Sequence, residues 1–206
     1  MFIDKIFFVF VIIFSAVIHE YAHGWMAYQL GDPTAKRAGR LTINPIPHLD
    51  MFGSIILPLI MVILPGGFLF AYAKPVPYNP YNLKDQRWGP VWVAIAGPIS
   101  NIILALVFGV IAQILTVASP IYPFLQLIVF ANVILAVFNM VPIPPLDGSK
   151  LLFALLPDRA HQLKAALQQY GLMLLLLFIF VGYALIFPII QGLTILFLAW
   201  LSPFIS

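Results

Sequence analysis

Long apolar runs separated by short polar loops make up most of the chain. A hydrocarbon core of about 30 Å takes about 20 apolar residues per helix. Five stretches meet or approach that length, at roughly 6–30, 88–118, 122–141, 166–187 and 189–201. The pattern predicts an all-α polytopic membrane protein with about five transmembrane helices. The first run follows Lys5, as a signal peptide would, but it continues through polar residues to Leu30 without a small-residue cleavage site, so it reads as a retained helix.

Residues 51–73, "MFGSIILPLIMVILPGGFLFAYA", are uncharged and long enough to span, yet Pro58, Pro65, Gly66 and Gly67 divide them. What remains is an apolar core of about 13 residues, a length that suits a re-entrant or interfacial segment. Charge favours re-entry. If the segment folds back, loops 31–50, 74–87 and 142–165 share one side, and nine of the ten basic residues gather there, as the positive-inside rule prefers. That side is then cytosolic, and it also holds the C-terminus, with Asp4 and Lys5 opposite. The flanking "GRLTINPIP" and "FLFAYAKPVP" have the alternation and the Thr, Ile, Phe and Tyr content of short strands ended by proline. Short membrane-associated β-strands are therefore expected near any functional site. Strand backbone at membrane depth needs protein or water beside it.

Composition narrows the function. The chain is 63% hydrophobic and 8% charged, against about 25% charged in soluble domains. It is read as one multi-pass integral membrane domain over 1–206, with a core at about 6–156 and C-terminal helices at about 166–204. The lipid bilayer is its first partner. The net charge of +3 comes from short loops, which argues against nucleic acid. There is no cysteine, so there is no thiol ligand and no disulfide.

Against this background the stretch "SAVIHEYAHGW", residues 15–25, stands out. It places His19, His23 and the chain's only glutamate, Glu20, inside the first apolar run. On a helix, His19 and His23 (i, i+4) project from one face one turn apart, the geometry of two nitrogen ligands on one zinc. Glu20 lies about 100° round the helix. It is poorly placed as a third ligand from the same turn but can reach a metal-bound water, the H-E-x-x-H logic of metalloproteases. From composition the pattern is expected by chance roughly 0.0004 times in this chain. A catalytic zinc takes a third protein ligand, and His48, His161 and Asp147 are the remaining candidates. Asp147 follows the proline-broken "FNMVPIPPLDGSK", where the chain re-enters a helix, and reads equally well as the N-cap of that helix. His48 and His161 lie among loop charges and suit bracing or solvated roles.

The motif H19-E-Y-A-H23, "AGPISN" (Ala96–Asn101) and "FNMVPIPPLDG" (Phe138–Gly148) together resemble the site-2 protease family of intramembrane zinc metalloproteases. The similarity runs over roughly 15–156, with the motifs in the family's order. The loops look like the short bacterial and archaeal branch, which implies a prokaryotic plasma membrane. The resemblance implies that His19, His23 and Asp147 bind one Zn2+ per chain and that Glu20 is the catalytic base. It implies that Asn139 positions substrate or stabilises the oxyanion. Asn101 is carried over as a family position that reads more as helix packing than chemistry, while Gly97 and Pro98 shape the same helix. The chain is expected to have no room for a PDZ or CBS domain and to lack the helix that often precedes the H-E-x-x-H span.

The substrates implied are transmembrane proteins cut within or near a membrane segment. A helical peptide bond is shielded by its own hydrogen bonds, so an unwound stretch must be admitted and offered new ones. The residues "GGFLFAYAKPV" are a candidate strand edge for that, or else a strand that packs the core. His19 is 11 residues from Leu30, about 17 Å along a helix, which sets the metal near mid-membrane. Two other classes compete. A metal-ion transporter would want repeated ligand-bearing helices, and a non-catalytic adaptor has no need of Glu20.

Overall fold

The computed structural model describes residues 2–56, 58–60, 73–115 and 118–199. Its helices are α1 (Phe2–Gln29), α2 (Thr34–Arg37), α3 (Gly89–Ile114), α4 (Tyr122–Asn139), α5 (Gly148–Leu155), α6 (His161–Leu177) and α7 (Tyr183–Ala199). Short 3-10 turns at Ile46–His48 and Pro80–Asn82 shape the polar loops.

Among the described residues four helical runs are long and apolar enough to cross a membrane: Ile3–Gln29, Gly89–Ile114, Tyr122–Asn139 and His161–Ala199. The expectation of five spans is corrected at the C-terminal end. Stretch 166–187 and the described part of 189–201 form one helical run, in which α6 continues through a π-helical turn, Phe178–Gly182, into α7. Pro188 sits inside α7 and does not reverse the chain. The sequence around it, "YALIFPIIQG", has no turn residues before the proline, and a reversal at membrane depth would strand backbone groups. Ala199, the last described residue of α7, therefore lies at the far end of this run from the 142–160 loop.

α3 is the central helix and packs against α1, α4, α5 and α7. Its buried face is rich in small residues, Ala94, Ala96, Gly97, Ala105, Gly109 and Ala112. Between membrane helices, where apolar lipid removes the hydrophobic drive, such residues let backbones approach closely. Trp92, Ile99, Ile103, Leu106 and Val107 of the same helix are exposed, as a lipid-facing stripe would be. A core of Ala105, Val129, Val133, Val141, Leu146, Ile186 and Ile190 joins α3, α4, α7 and the 141–146 loop.

No β-strand occurs among the described residues, which corrects the strand expectation at "GRLTINPIP". In "GRLTINPIP", Thr42 Oγ1 accepts the Asn44 N–H and Asn44 Oδ1 accepts the Ile46 N–H, both at 3.1 Å. These local bonds replace a ladder. Residues 73–79 lack regular structure, and their N–H groups are taken by other partners. Lys74 N donates to His48 O (2.8 Å), Val76 N to Glu20 Oε2 (2.7 Å) and Asn79 N to Asp32 Oδ2 (2.6 Å). The greater part of the candidate edge "GGFLFAYAKPV" lies outside the described residues.

Asp32 organises this region. It is fully buried and accepts from Thr34 N (3.1 Å), Thr34 Oγ1 (2.5 Å), Asn82 Nδ2 (2.8 Å) and Asn79 N. Burial pushes its carboxyl up, but the bonds from Asn82, Thr34 and Asn79 outweigh burial and hold it below the usual carboxylate range. Gly24 makes room alongside, since a Cβ there would be 3.0 Å from Val76 Cγ1 and 3.2 Å from Ala35 Cβ.

These bonds bring the two flanks of 51–73 together. Arg40 Nη2 also reaches Lys74 O at 2.8 Å, and Lys84 N reaches Leu30 O at 3.0 Å. Because the flanks meet, single cysteines at Lys36 and Lys84 are expected to label from the same face of the membrane in this cysteine-free chain. A cysteine at Thr194, near the far end of α7, is expected to be inaccessible to a reagent that reaches that face. Labelling of Lys36→Cys and Lys84→Cys from opposite faces would make 51–73 a crossing segment.

Candidate metal centre

α1 carries the H-E-x-x-H motif as an unbroken helix, and the two imidazoles stand on one face with ring centroids 4.5 Å apart. Each ring is oriented through its Nδ1. His19 Nδ1 lies 2.6 Å from Asn101 Oδ1, and His23 Nδ1 lies 2.7 Å from Val93 O. Both partners are acceptors, so each Nδ1 carries the proton and each Nε2 is left with a lone pair.

The α4–α5 connection completes the arrangement. Asp147 occupies the N-cap position of α5, but its carboxylate makes no capping bond. Asp147 Oδ2 instead lies 3.1 Å from His19 Nε2 and 3.2 Å from His23 Nε2. Gly148 allows this placement, because a Cβ there would collide with the Met140 carbonyl and with Val141 O.

Two imidazole lone pairs and a carboxylate oxygen thus face one another. Unless an imidazole takes up a second proton, these lone-pair atoms repel one another, and a cation between them satisfies all three. Zinc bonds of about 2.0–2.1 Å set ligand atoms about 3.3 Å apart on the edge of a tetrahedron, close to the separations observed. The donor set is therefore the right one, at the right spacing, for zinc. His19, Glu20 and His23 each also offer a ligand atom within 4.8 Å of the others. Of the two carboxylates, Asp147 is the one in contact with both nitrogens, whereas Glu20 is held by the Val76 N–H. That leaves Glu20 beside the cluster, with its carboxylate held by a backbone N–H.

Gly97 and Asn101 lie on the face of α3 turned to this cluster. A Cβ at Gly97 would be 2.5 Å from His19 Nε2 and from His23 Cε1, so only glycine lets α3 pass so close to the ligands. Pro98 beside it is buried. Asn101 does more than the packing expected of it, since its Oδ1 fixes the His19 tautomer. Its Nδ2 donates to Asn132 Oδ1 (2.9 Å), and Asn132 Nδ2 in turn donates to Ile128 O (2.9 Å).

Asn132 was missed from the sequence, although an amide in the apolar run "LIVFANVILAVF" is itself a signal, since polar groups in a span need partners. Asn132→Leu leaves Asn101 Nδ2 with only the longer bond to Ser15 O (3.4 Å) and loosens the His19 ring. Its expected effect is zinc affinity weakened about 10–100-fold, measured by competition with a chelator, with helix content unchanged. Equal affinity would reduce the pair to packing.

The remaining candidates stand apart from the cluster. Asn139, in the last turn of α4, donates through Nδ2 to Leu135 O (2.9 Å) and has no hydrogen bond to the cluster among the described residues. His48 is buried and braces its own loop through Nε2 and Thr42 O (2.8 Å). His161 is exposed at the start of α6.

The family model for peptidase family M50 matches residues 7–117 and 110–182. The Bacillus subtilis protein named "Putative zinc metalloprotease YwhC" is 36% identical over 178 residues, covering 82% of this chain and 77% of that protein. The similarly named Rip2 of Mycobacterium tuberculosis H37Rv is 26% identical over 164 residues, covering 79% of this chain and 62% of Rip2. Zinc metalloprotease MJ0392 of Methanocaldococcus jannaschii is 25% identical over 157 residues, of which the matched part is 36% of that protein. The chain thus spans less than two thirds of the length of some of these relatives. No solved structure matches the chain.

Proposed function

Because the chain belongs to peptidase family M50, and so to the site-2-type metalloproteases of the membrane, we propose that it hydrolyses peptide bonds within or near transmembrane segments of other membrane proteins. The observation that carries this reading is the convergence of two imidazole nitrogens and the Asp147 carboxylate beside Glu20, inside apolar helices. His19, His23 and Asp147 would hold one zinc per chain. When bound, zinc supplies a Lewis acid for the scissile carbonyl and brings the pKa of water towards 7.

Glu20 does the proton work. Val76 N–H occupies Oε2 and fixes the carboxylate plane, which leaves Oε1 to take the proton of the attacking water. As the carbon–nitrogen bond breaks, the same proton passes to the leaving nitrogen, so the amine departs neutral. Asn101 and Val93 O keep the imidazoles in the tautomer that presents Nε2. Asn139 is assigned to the substrate or its oxyanion, from the end of α4 that leads into the Asp147 loop. The basic loops face the cytosol of a prokaryotic cell, and water enters from that side, where the loops meet the end of α1.

Substrate trapping tests the reading. Membrane proteins that accumulate when Glu20→Gln replaces the wild type are the expected substrates, each shortened within an apolar segment when the wild type is restored. An unchanged membrane proteome in the two backgrounds would contradict it.

A further inference from the structure

Beside the metal centre, but separate from it, a cavity of about 520 Å³ opens where α3 begins and where α5 and α6 meet the polar loops. Its wall carries three cations, Arg87, Lys150 and Lys164, with Tyr78, Pro90 and Phe153 as the less polar lining. Among the described residues no acidic side chain lines it. Asp85, close by in sequence, spends its Oδ1 on the backbone N–H groups of Arg87 (2.8 Å) and Trp88 (2.9 Å). Among the described residues none of the three cations is paired with a carboxylate.

Arg87 is also pre-positioned. Its Nε and Nη2 both donate to Ala154 O, at 3.3 and 3.2 Å, which ties the guanidinium to α5 and leaves its other donors for a ligand. Three unpaired cations converging on a cavity repel one another and favour an anion there, and a tethered guanidinium with two ammonium groups suits phosphate oxygens.

The position of the cavity identifies the source of that phosphate. Arg87 and Pro90 flank the start of a membrane-spanning helix, and Lys164 lies in the first turn of another. Trp88 and Trp92, next to Arg87, are exposed, as side chains at the headgroup level are. Basic pockets between helix ends at this depth take lipid headgroups. We infer that the Arg87–Lys150–Lys164 cavity binds the phosphate headgroup of an anionic phospholipid, one molecule per chain, with Phe153 against its glycerol backbone.

Binding does not depend on proteolysis, so the two readings fail separately. The full chain in detergent is titrated with dioleoylphosphatidylglycerol, dioleoylphosphatidylcholine and, separately, sn-glycerol phosphate, and the bound ligand is counted by native mass spectrometry. The anionic lipid is expected to give one saturable adduct, at least about tenfold tighter than phosphatidylcholine. Lys150→Gln and Lys164→Gln should each weaken it roughly fivefold, and together roughly 30-fold. Lys36→Gln with Arg37→Gln, which removes two basic residues outside the cavity, should leave binding unchanged. Unaltered binding in the Lys150 and Lys164 variants would overturn the site. An equal loss in the Lys36 and Arg37 variant would reduce it to diffuse attraction. Glycerol phosphate bound as tightly as the lipid would overturn the lipid assignment in favour of a soluble phosphate.

Discussion

Glu20→Gln is expected to keep its zinc and lose turnover by on the order of 10³–10⁴, the upper part of the range for a general base. The substitution is nearly isosteric, and the new amide oxygen can still accept the Val76 N–H that Glu20 Oε2 accepts now at 2.7 Å. His19, His23 and Asp147 are untouched, so the metal content should not move. What is lost is the capacity to carry a proton between the attacking water and the leaving nitrogen. Metal analysis of the purified variant, paired with cleavage of a membrane substrate in vesicles, reads both halves. Turnover within tenfold of wild type, at equal zinc, would remove Glu20 from the base role.

Gly97→Ala is expected to be nearly as damaging, although it changes no polar group. The added methyl carbon would sit 2.5 Å from His19 Nε2 and 2.6 Å from His19 Cε1. α3 has little freedom to retreat, because it packs against α1, α4, α5 and α7. Relief must come from the imidazoles, at the cost of the bonds to Asn101 Oδ1 and Val93 O. Zinc affinity should fall about 100-fold or more, and activity with it, with partial recovery in excess zinc. Gly192→Ala serves as the control. A Cβ there meets nothing within 4 Å, and alanine is the better helix former, so zinc and activity should hold. Wild-type zinc affinity in Gly97→Ala would show that α3 can move away from the ligands.

The parts of this site that could be read in the sequence are those with a spacing or a local grammar. The i, i+4 histidines survive as written because helical geometry alone sets them on one face. Asp147 was legible as a carboxylate at a helix start after three prolines, but its choice between capping and ligation was not. In the structure its carboxylate makes no capping bond and contacts both Nε2 atoms instead. The hold on Glu20 had no signature, since its partner is the backbone of Val76, 56 residues away. The same holds for Asp32, by position a loop acid, which joins the end of α1 to residues 79–82. The strand expectation at "GRLTINPIP" failed because alternation does not register the local side-chain bonds of Thr42 and Asn44. The count of spans failed at Pro188, because proline punctuates helices in water more sharply than in lipid.

The measurement closest to the central claim is the site of cleavage. Purified wild-type chain and a single-span membrane substrate are combined in vesicles, and the product termini are mapped by mass spectrometry, with and without a zinc chelator. The expected result is a new terminus inside the apolar segment, absent after chelation, restored by zinc and absent in Asp147→Ala. A terminus found only in the soluble flanks, or one that persists in Asp147→Ala after chelation, would contradict it.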